Sequence, residues 1–169
     1  MNRIAEFEKV SFEQFYSDCT ALLNNSDKAE IEAVYNSITL PKRSTKGSAG
    51  YDFFCTVNVS LKPNSTIIVP TGIRCRIDEG WFLMCCPRSG LGFKYRLRLD
   101  NTVGIIDADY YNADNQGHIM IKLTNESNEN KTVTLKVGDS FAQGIFIPFG
   151  ITTDDDASGE RTGGFGSTG

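Results

Sequence analysis

Long apolar runs are missing from this chain. No stretch of its 169 residues approaches the ~20 consecutive apolar residues that span a bilayer, and Met1-Asn2-Arg3-Ile4-Ala5-Glu6 lacks the apolar centre of a signal peptide. The expectation is a cytoplasmic protein with no membrane contact. Histidine is almost absent too. Against the single His118 stand five cysteines, Cys19, Cys55, Cys75, Cys85 and Cys86, an odd number without C-x-x-C spacing. That pattern speaks against a structural zinc site and for reduced, mostly buried thiols. Positive charge is not in excess either: a net charge of −4 argues against direct nucleic-acid binding, which needs a basic face. A polyphosphate ligand remains compatible, because a few arginines and a divalent cation can meet its charge. What is present, 40% hydrophobic and 22% charged residues, suits one globular domain with its own core.

Residues 1–37 read as a helical extension. Ser11-Phe12-Glu13-Gln14 has the form of a capping box, and Phe12, Phe15, Tyr16, Cys19, Leu22 and Leu23 follow helical spacing. A second short helix is predicted from Asp27, with Ile31, Val34 and Tyr35 on one face. From residue 38 to 152 the signals are β throughout. Segments 57–61 and 73–77 alternate, 119–123 and 132–137 are further strands, and 141–149 is a longer apolar run. Turns are predicted at 62–64, 78–80 and 125–128. Many short strands at close spacing point to a sandwich or barrel. Residues 153–169 read as a polar linker, solvated by Asp154-Asp155-Asp156, and a terminal arm.

The arm, Arg161-Thr162-Gly163-Gly164-Phe165-Gly166-Ser167-Thr168-Gly169, cannot build a core. Its composition fits either a disordered tail or a clamp on a nucleotide. Glycines admit phosphate oxygens close to backbone N–H groups, hydroxyls and a guanidinium add donors, and a ring can stack on a base. It lacks the lysine of a Walker loop, which sets aside an ATPase. Four further motifs precede it in order: Ala49-Gly50-Tyr51-Asp52-Phe53, Pro87-Arg88-Ser89-Gly90-Leu91-Gly92, Asn101-Thr102-Val103-Gly104-Ile105-Ile106-Asp107-Ala108-Asp109-Tyr110, and Gly138-Asp139-Ser140-Phe141-Ala142-Gln143.

In this order and spacing the five motifs resemble those of the trimeric deoxyuridine triphosphate nucleotidohydrolases, the dUTPases, over residues 49–169. The resemblance implies a mainly β, jelly-roll or barrel domain that assembles as a homotrimer. It implies hydrolysis of dUTP to dUMP and pyrophosphate by in-line attack of water on the α-phosphate, limiting uracil in DNA and supplying dUMP for dTMP synthesis. Asp107 takes the role of catalytic base. Arg88, Ser89, Gly90 and Gln143 bind phosphate. Asn101 and the main chain of Gly104, Ile105 and Ile106, with Met120, read the base. Tyr110 lies against the deoxyribose, and Asp52 holds Mg²⁺ through water. Arg161, Phe165, Gly166, Ser167 and Thr168 close over the nucleotide. Each active site is composite, with the first, second and fourth motifs from one subunit, the uracil hairpin from another and the arm from the third.

Locally, an aspartate like Asp107 also serves as a turn cap, and a tyrosine like Tyr110 also serves a core. Compared with the minimal family pattern, Tyr111-Asn112-Ala113-Asp114-Asn115-Gln116 lengthen the catalytic hairpin by about five residues, at a site where loops tolerate insertion. That loop and the N-terminal helices are the surfaces available to a protein partner. Two other functions compete. A dCTP deaminase shares the fold, but its general acid/base glutamate aligns here with Lys122. A nucleotide-sensing or protein-docking module would not need Asp107, Ser89 and the arm together.

Overall fold

The computed structural model describes residues 2–23, 25–159, 161 and 163. The elements run β1 (Ala5–Lys9), α1 (Phe12–Leu23), α2 (Lys28–Ser37), β2 (Tyr51–Phe54), β3 (Val59–Leu61), β4 (Thr66–Pro70), β5 (Ile73–Ile77) and β6 (Trp81–Pro87). They continue with α3 (Ser89–Tyr95), β7 (Leu97–Leu99), β8 (Gly104–Ile106), a 3₁₀ turn (Ala108–Asn112), β9 (Met120–Asn125), β10 (Val133–Leu135) and β11 (Ser140–Pro148). Every strand pairing among the described residues is antiparallel. The sheets are β2-β11-β6-β8, β4-β9-β7, and the pairs β1-β5 and β10-β3.

Alternation explains how these short strands share one core. Val59 and Leu61, Ile73, Cys75 and Ile77, Leu97 and Leu99, and Val133 and Leu135 all point inward, with polar neighbours outward. The helices form a smaller cluster around Val10, Phe15, Cys19 and Ile31, and Ile38 packs against both clusters. Asp27 caps α2, its carboxylate accepting the N–H groups of Ala29 and Glu30, each at 3.0 Å.

Two elements differ from the sequence expectation. The region before the helices contains β1, which joins the β body through β5. Its Phe7 packs on Tyr51, Phe53 and Phe146 at 5.4–5.8 Å. Its outward Glu6 and Glu8 stand opposite Arg76 and Arg74, a complementarity that only the register reveals. Second, the body is not all β. Residues 89–95 form α3, where Leu91 and Tyr95, one turn apart, pack on the core. Two glycines in seven residues weaken its helical signal. Arg96 ends it in the left-handed conformation, φ 53°, its N–H bonding Gly92 O.

Candidate active site

Four of the five motifs meet in the sheet β2-β11-β6-β8. Asp52 on β2 pairs in register with Gln143 on β11, and Gln143 pairs with Cys86 on β6. The end of β6 delivers Pro87 and Arg88, and α3 begins at Ser89. Arg88 Nε lies 3.3 Å from Asp52 Oδ1, and Arg88 also donates to the Ser140 hydroxyl. Gln143 Nε2 donates to Pro87 O at 3.4 Å. Gly50 is where the first motif crosses the fourth: a Cβ there would lie 2.4 Å from Gln143 Oε1. Ser89 and Gly90 are exposed beside this group. The sheet therefore gathers Asp52, Arg88, Ser89, Gly90 and Gln143 into one polar patch suited to phosphate oxygens.

Both oxygens of Asp52 already have protein donors, Arg88 on one and the Ser44 hydroxyl, at 3.0 Å, on the other. Such a carboxylate suits a cation held through water better than one held directly. Among the described residues no group of three or more His, Cys, Asp or Glu side chains could hold a metal ion.

The third motif enters the same sheet on β8. Gly104 stands opposite Cys85 and Ile106 opposite Leu83. A cavity of ≈ 380 Å³ opens beside it, lined by Asn101, Gly104, Ile106 and Met120 of the expected base-reading set. Ile105 is not part of this lining; alternation turns it to the other face, 46% exposed. Cys85 and Leu99 lie under Gly104, where a Cβ would come within 3.3 Å of the Cys85 Cβ. Leu22 of α1 and Ile68 of β4 also line the cavity. Neither is marked in the sequence, since helical spacing places Leu22 on an apolar face without saying what that face meets. Lys122 bonds Asp100 at 2.6 Å. The hydrogen bonds of Lys122 and Thr124 hold the Asp100 carboxyl below its ordinary range, hence ionised.

Asp107 follows β8, and its carbonyl accepts the Tyr110 N–H at 3.2 Å. Continuing the register puts Asp107 level with Phe82, five residues before Pro87 on β6, or ~17 Å of extended strand. Among the described residues no hydrogen bond or ion pair links Asp107 to Asp52, Arg88, Ser89 or Gln143. Its partner is instead Arg161 of the arm, whose Nη2 lies 2.7 Å from Asp107 Oδ2 and whose Nε lies 2.9 Å from Asp109 Oδ1. The guanidinium carbon sits 5.7 Å from the centre of the Tyr110 ring. Within one chain, then, this arginine meets the carboxylates rather than the phosphate patch. Phe165, Gly166, Ser167 and Thr168 lie outside the described residues.

Tyr110 is 2% exposed. Its hydroxyl donates to His118 O and accepts from Asn115 Nδ2, both at 2.9 Å. The inserted loop folds inward around it. The Tyr111 ring lies 3.6 Å from the Arg74 guanidinium carbon and its hydroxyl donates to Glu8 at 2.8 Å. Gln116 Oε1 accepts the Ser11 N–H at 2.9 Å, the bond that Gln14 would make in a complete capping box. Gly117 (φ 68°) closes the loop, where a Cβ would come within 2.6 Å of Tyr110 O.

Residues 36–169 match the family model described as dUTPase. Over 135 residues the chain is 42% identical to a deoxyuridine 5'-triphosphate nucleotidohydrolase of Lactococcus lactis, an alignment spanning 78% of this chain and 89% of that protein. An Escherichia coli protein of the same description is 41% identical over 138 residues, spanning 77% of this chain and 87% of its own length. Among solved structures, a dUTPase from Streptococcus mutans aligns with a TM-score of 0.63 at 31% identity, covering 86% of this chain and 97% of that one. A dUTPase from phage phi11 of S. aureus shares the fold with a TM-score of 0.62 at 20% identity, covering 93% and 97%.

Proposed function

This chain belongs to the dUTPase family, and from that premise we propose that it hydrolyses dUTP to dUMP and pyrophosphate at a site shared between subunits of a trimer. Water attacks the α-phosphorus in line with the leaving group. The new P–O bond forms as the bond to the α–β bridging oxygen breaks, and Asp107 takes the proton of the water. Ser89 donates toward the bridging oxygen as charge gathers on it, while Arg88, Gly90 and Gln143 hold the phosphates. Asp52 would hold Mg²⁺ through water, and the ion would supply positive charge against the phosphates. Asn101 and the main chain of Gly104, Ile105 and Ile106, with Met120, read the donor and acceptor pattern of uracil. Mismatched buried polar groups cost ~1–3 kcal/mol each, enough to reject cytosine. The Tyr110 ring, 2% exposed with Arg161 of its own chain over it, meets the deoxyribose and excludes a 2′-hydroxyl once that arm leaves it for a neighbouring subunit. Arg161, Phe165, Gly166, Ser167 and Thr168 close over the nucleotide.

The observation that carries the shared site is the register of β8, which ends with Ile106 opposite Leu83, short of Pro87 by ~14 Å of strand, and directs Asp107 further from the phosphate patch. A water oriented by that carboxylate cannot reach an α-phosphate seated on Arg88 and Ser89 of the same chain. A threefold arrangement of copies brings the base of one to the phosphate patch of the next. The chemistry is tested by offering dUTP, dCTP, dTTP and UTP with Mg²⁺ and resolving the products. dUMP and pyrophosphate are expected from dUTP only. Uracil nucleotides released from dCTP, or dUTP left intact, would overturn the reading.

A further inference from the structure

Helix α1 lies before residue 36, outside the part of the chain that matches the family model. It nevertheless reaches the catalytic hairpin, where its Asp18 meets a buried side chain. His118, the sole histidine, is fully buried. Its Nε2 accepts the Gly72 N–H at 2.8 Å, and its Nδ1 lies 2.6 Å from Asp18 Oδ2 on α1. A backbone N–H can only donate, so Nε2 carries a lone pair and the ring proton sits on Nδ1, donated to Asp18. Burial alone would raise the Asp18 carboxyl, but the hydrogen bonds from His118 and Gln14 outweigh it and hold the group below its ordinary value. The Phe15 ring packs 6.1 Å from the imidazole. Both ring nitrogens being engaged, the backbone of His118 has one position, and its carbonyl is what the Tyr110 hydroxyl donates to.

We propose that Asp18 and His118 are positioning residues for sugar recognition, fixing the Tyr110 ring that excludes a 2′-hydroxyl. The inference rests on the dUTPase reading above and adds to it a control of selectivity that originates in the N-terminal helix. Asp18 and His118 do not themselves touch the nucleotide. The Tyr110 N–H to Asp107 O bond places the sugar-facing ring and the base on one turn, so displacement of the ring also disturbs kcat.

The test is the ratio of kcat/KM for dUTP to that for UTP in the full-length protein. Asp18→Ala leaves the imidazole N–H without its acceptor and should lower the ratio about three- to tenfold, the worth of one misplaced buried hydrogen bond. Asp18→Asn keeps an oxygen that accepts from Nδ1 and should restore most of the ratio. Asp27→Ala weakens the same helical pair through its cap, touches none of this network, and should lower the melting temperature without changing the ratio. A parent protein that does not hydrolyse dUTP defeats the functional reading itself. A selective parent whose Asp18→Ala variant keeps the full ratio, or whose Asp27→Ala variant loses it equally, overturns the positioning role. Should Asp18→Ala not fold, His118→Asn decides the matter. It keeps a donor to Asp18 and loses the Gly72 bond and the ring packed on Phe15, and an unchanged ratio there contradicts the proposal.

Discussion

Asp107 is half exposed, ion-paired to Arg161 and placed at the head of the turn that carries Tyr110. As the base, it would act on a proton of water rather than on the phosphates. Asp107→Asn preserves its shape and removes the base, so turnover should fall by ~10² or more. Calorimetric affinity for a non-hydrolysable dUTP analogue should stay near that of the parent. A variant turning over within a few-fold of the parent would remove Asp107 from the role. The cysteines make the opposite case, of residues that do no chemistry. Burial pushes the Cys19, Cys55 and Cys85 thiols up to about 12, and raises Cys75 further still. Thiolate is the reactive form. A thiol reagent at pH 8 should therefore modify half-buried Cys86 first, and reach all five cysteines only in denaturant. Rapid modification of Cys19 or Cys55 in the folded protein would contradict this packing.

At the scale of elements, Asp27 is the cleanest test, because one carboxylate satisfies two N–H groups at the start of α2. Asp27→Ala should cost about 1 kcal/mol, read as a lower denaturation midpoint with unchanged slope. No loss would mean that the helix does not depend on its cap. Elements with a strong local period are legible in the amino-acid sequence alone. Ile73–Ile77 alternates without interruption and is a strand with those bounds, and the Ser11 and Asp27 signals mark where helices start. What stays hidden depends on partners remote in sequence. Nothing near Glu6 and Glu8 announces Arg76 and Arg74, so β1 carries no local signature. The Gly-rich sequence of α3 masks the Leu91–Tyr95 spacing. The half of the capping box supplied by Gln116 comes from 105 residues away. The site follows the same division. Its motif residues stand out in the sequence, while Leu22, Asp18 and His118 gain their roles only from the folding of the inserted loop against α1.

Over the whole molecule, the inserted loop and the helical pair, two additions separate in sequence, are joined. Tyr111, Asn115 and Gln116 are spent on contacts within the chain, leaving Asn112 and Asp114 as the loop's exposed side chains. This makes the loop a brace for the catalytic turn. The larger consequence concerns assembly: on the proposed reading, the phosphate patch and Asp107 of one chain each need a neighbouring copy to complete a site. Mixing two inactive proteins tests this most directly. Asp107→Asn retains the phosphate patch, and Arg88→Ala retains the base. Refolded together in equal amounts, they should form trimers in which about a quarter of all sites, one in each mixed trimer, combine an intact patch from one chain with an intact base from another. Activity should return to about that fraction of the parent, although neither variant has it alone. Mixed trimers verified by mass that hydrolyse no more dUTP than the separate variants would show that base and phosphate patch act within one chain, against the shared-site account.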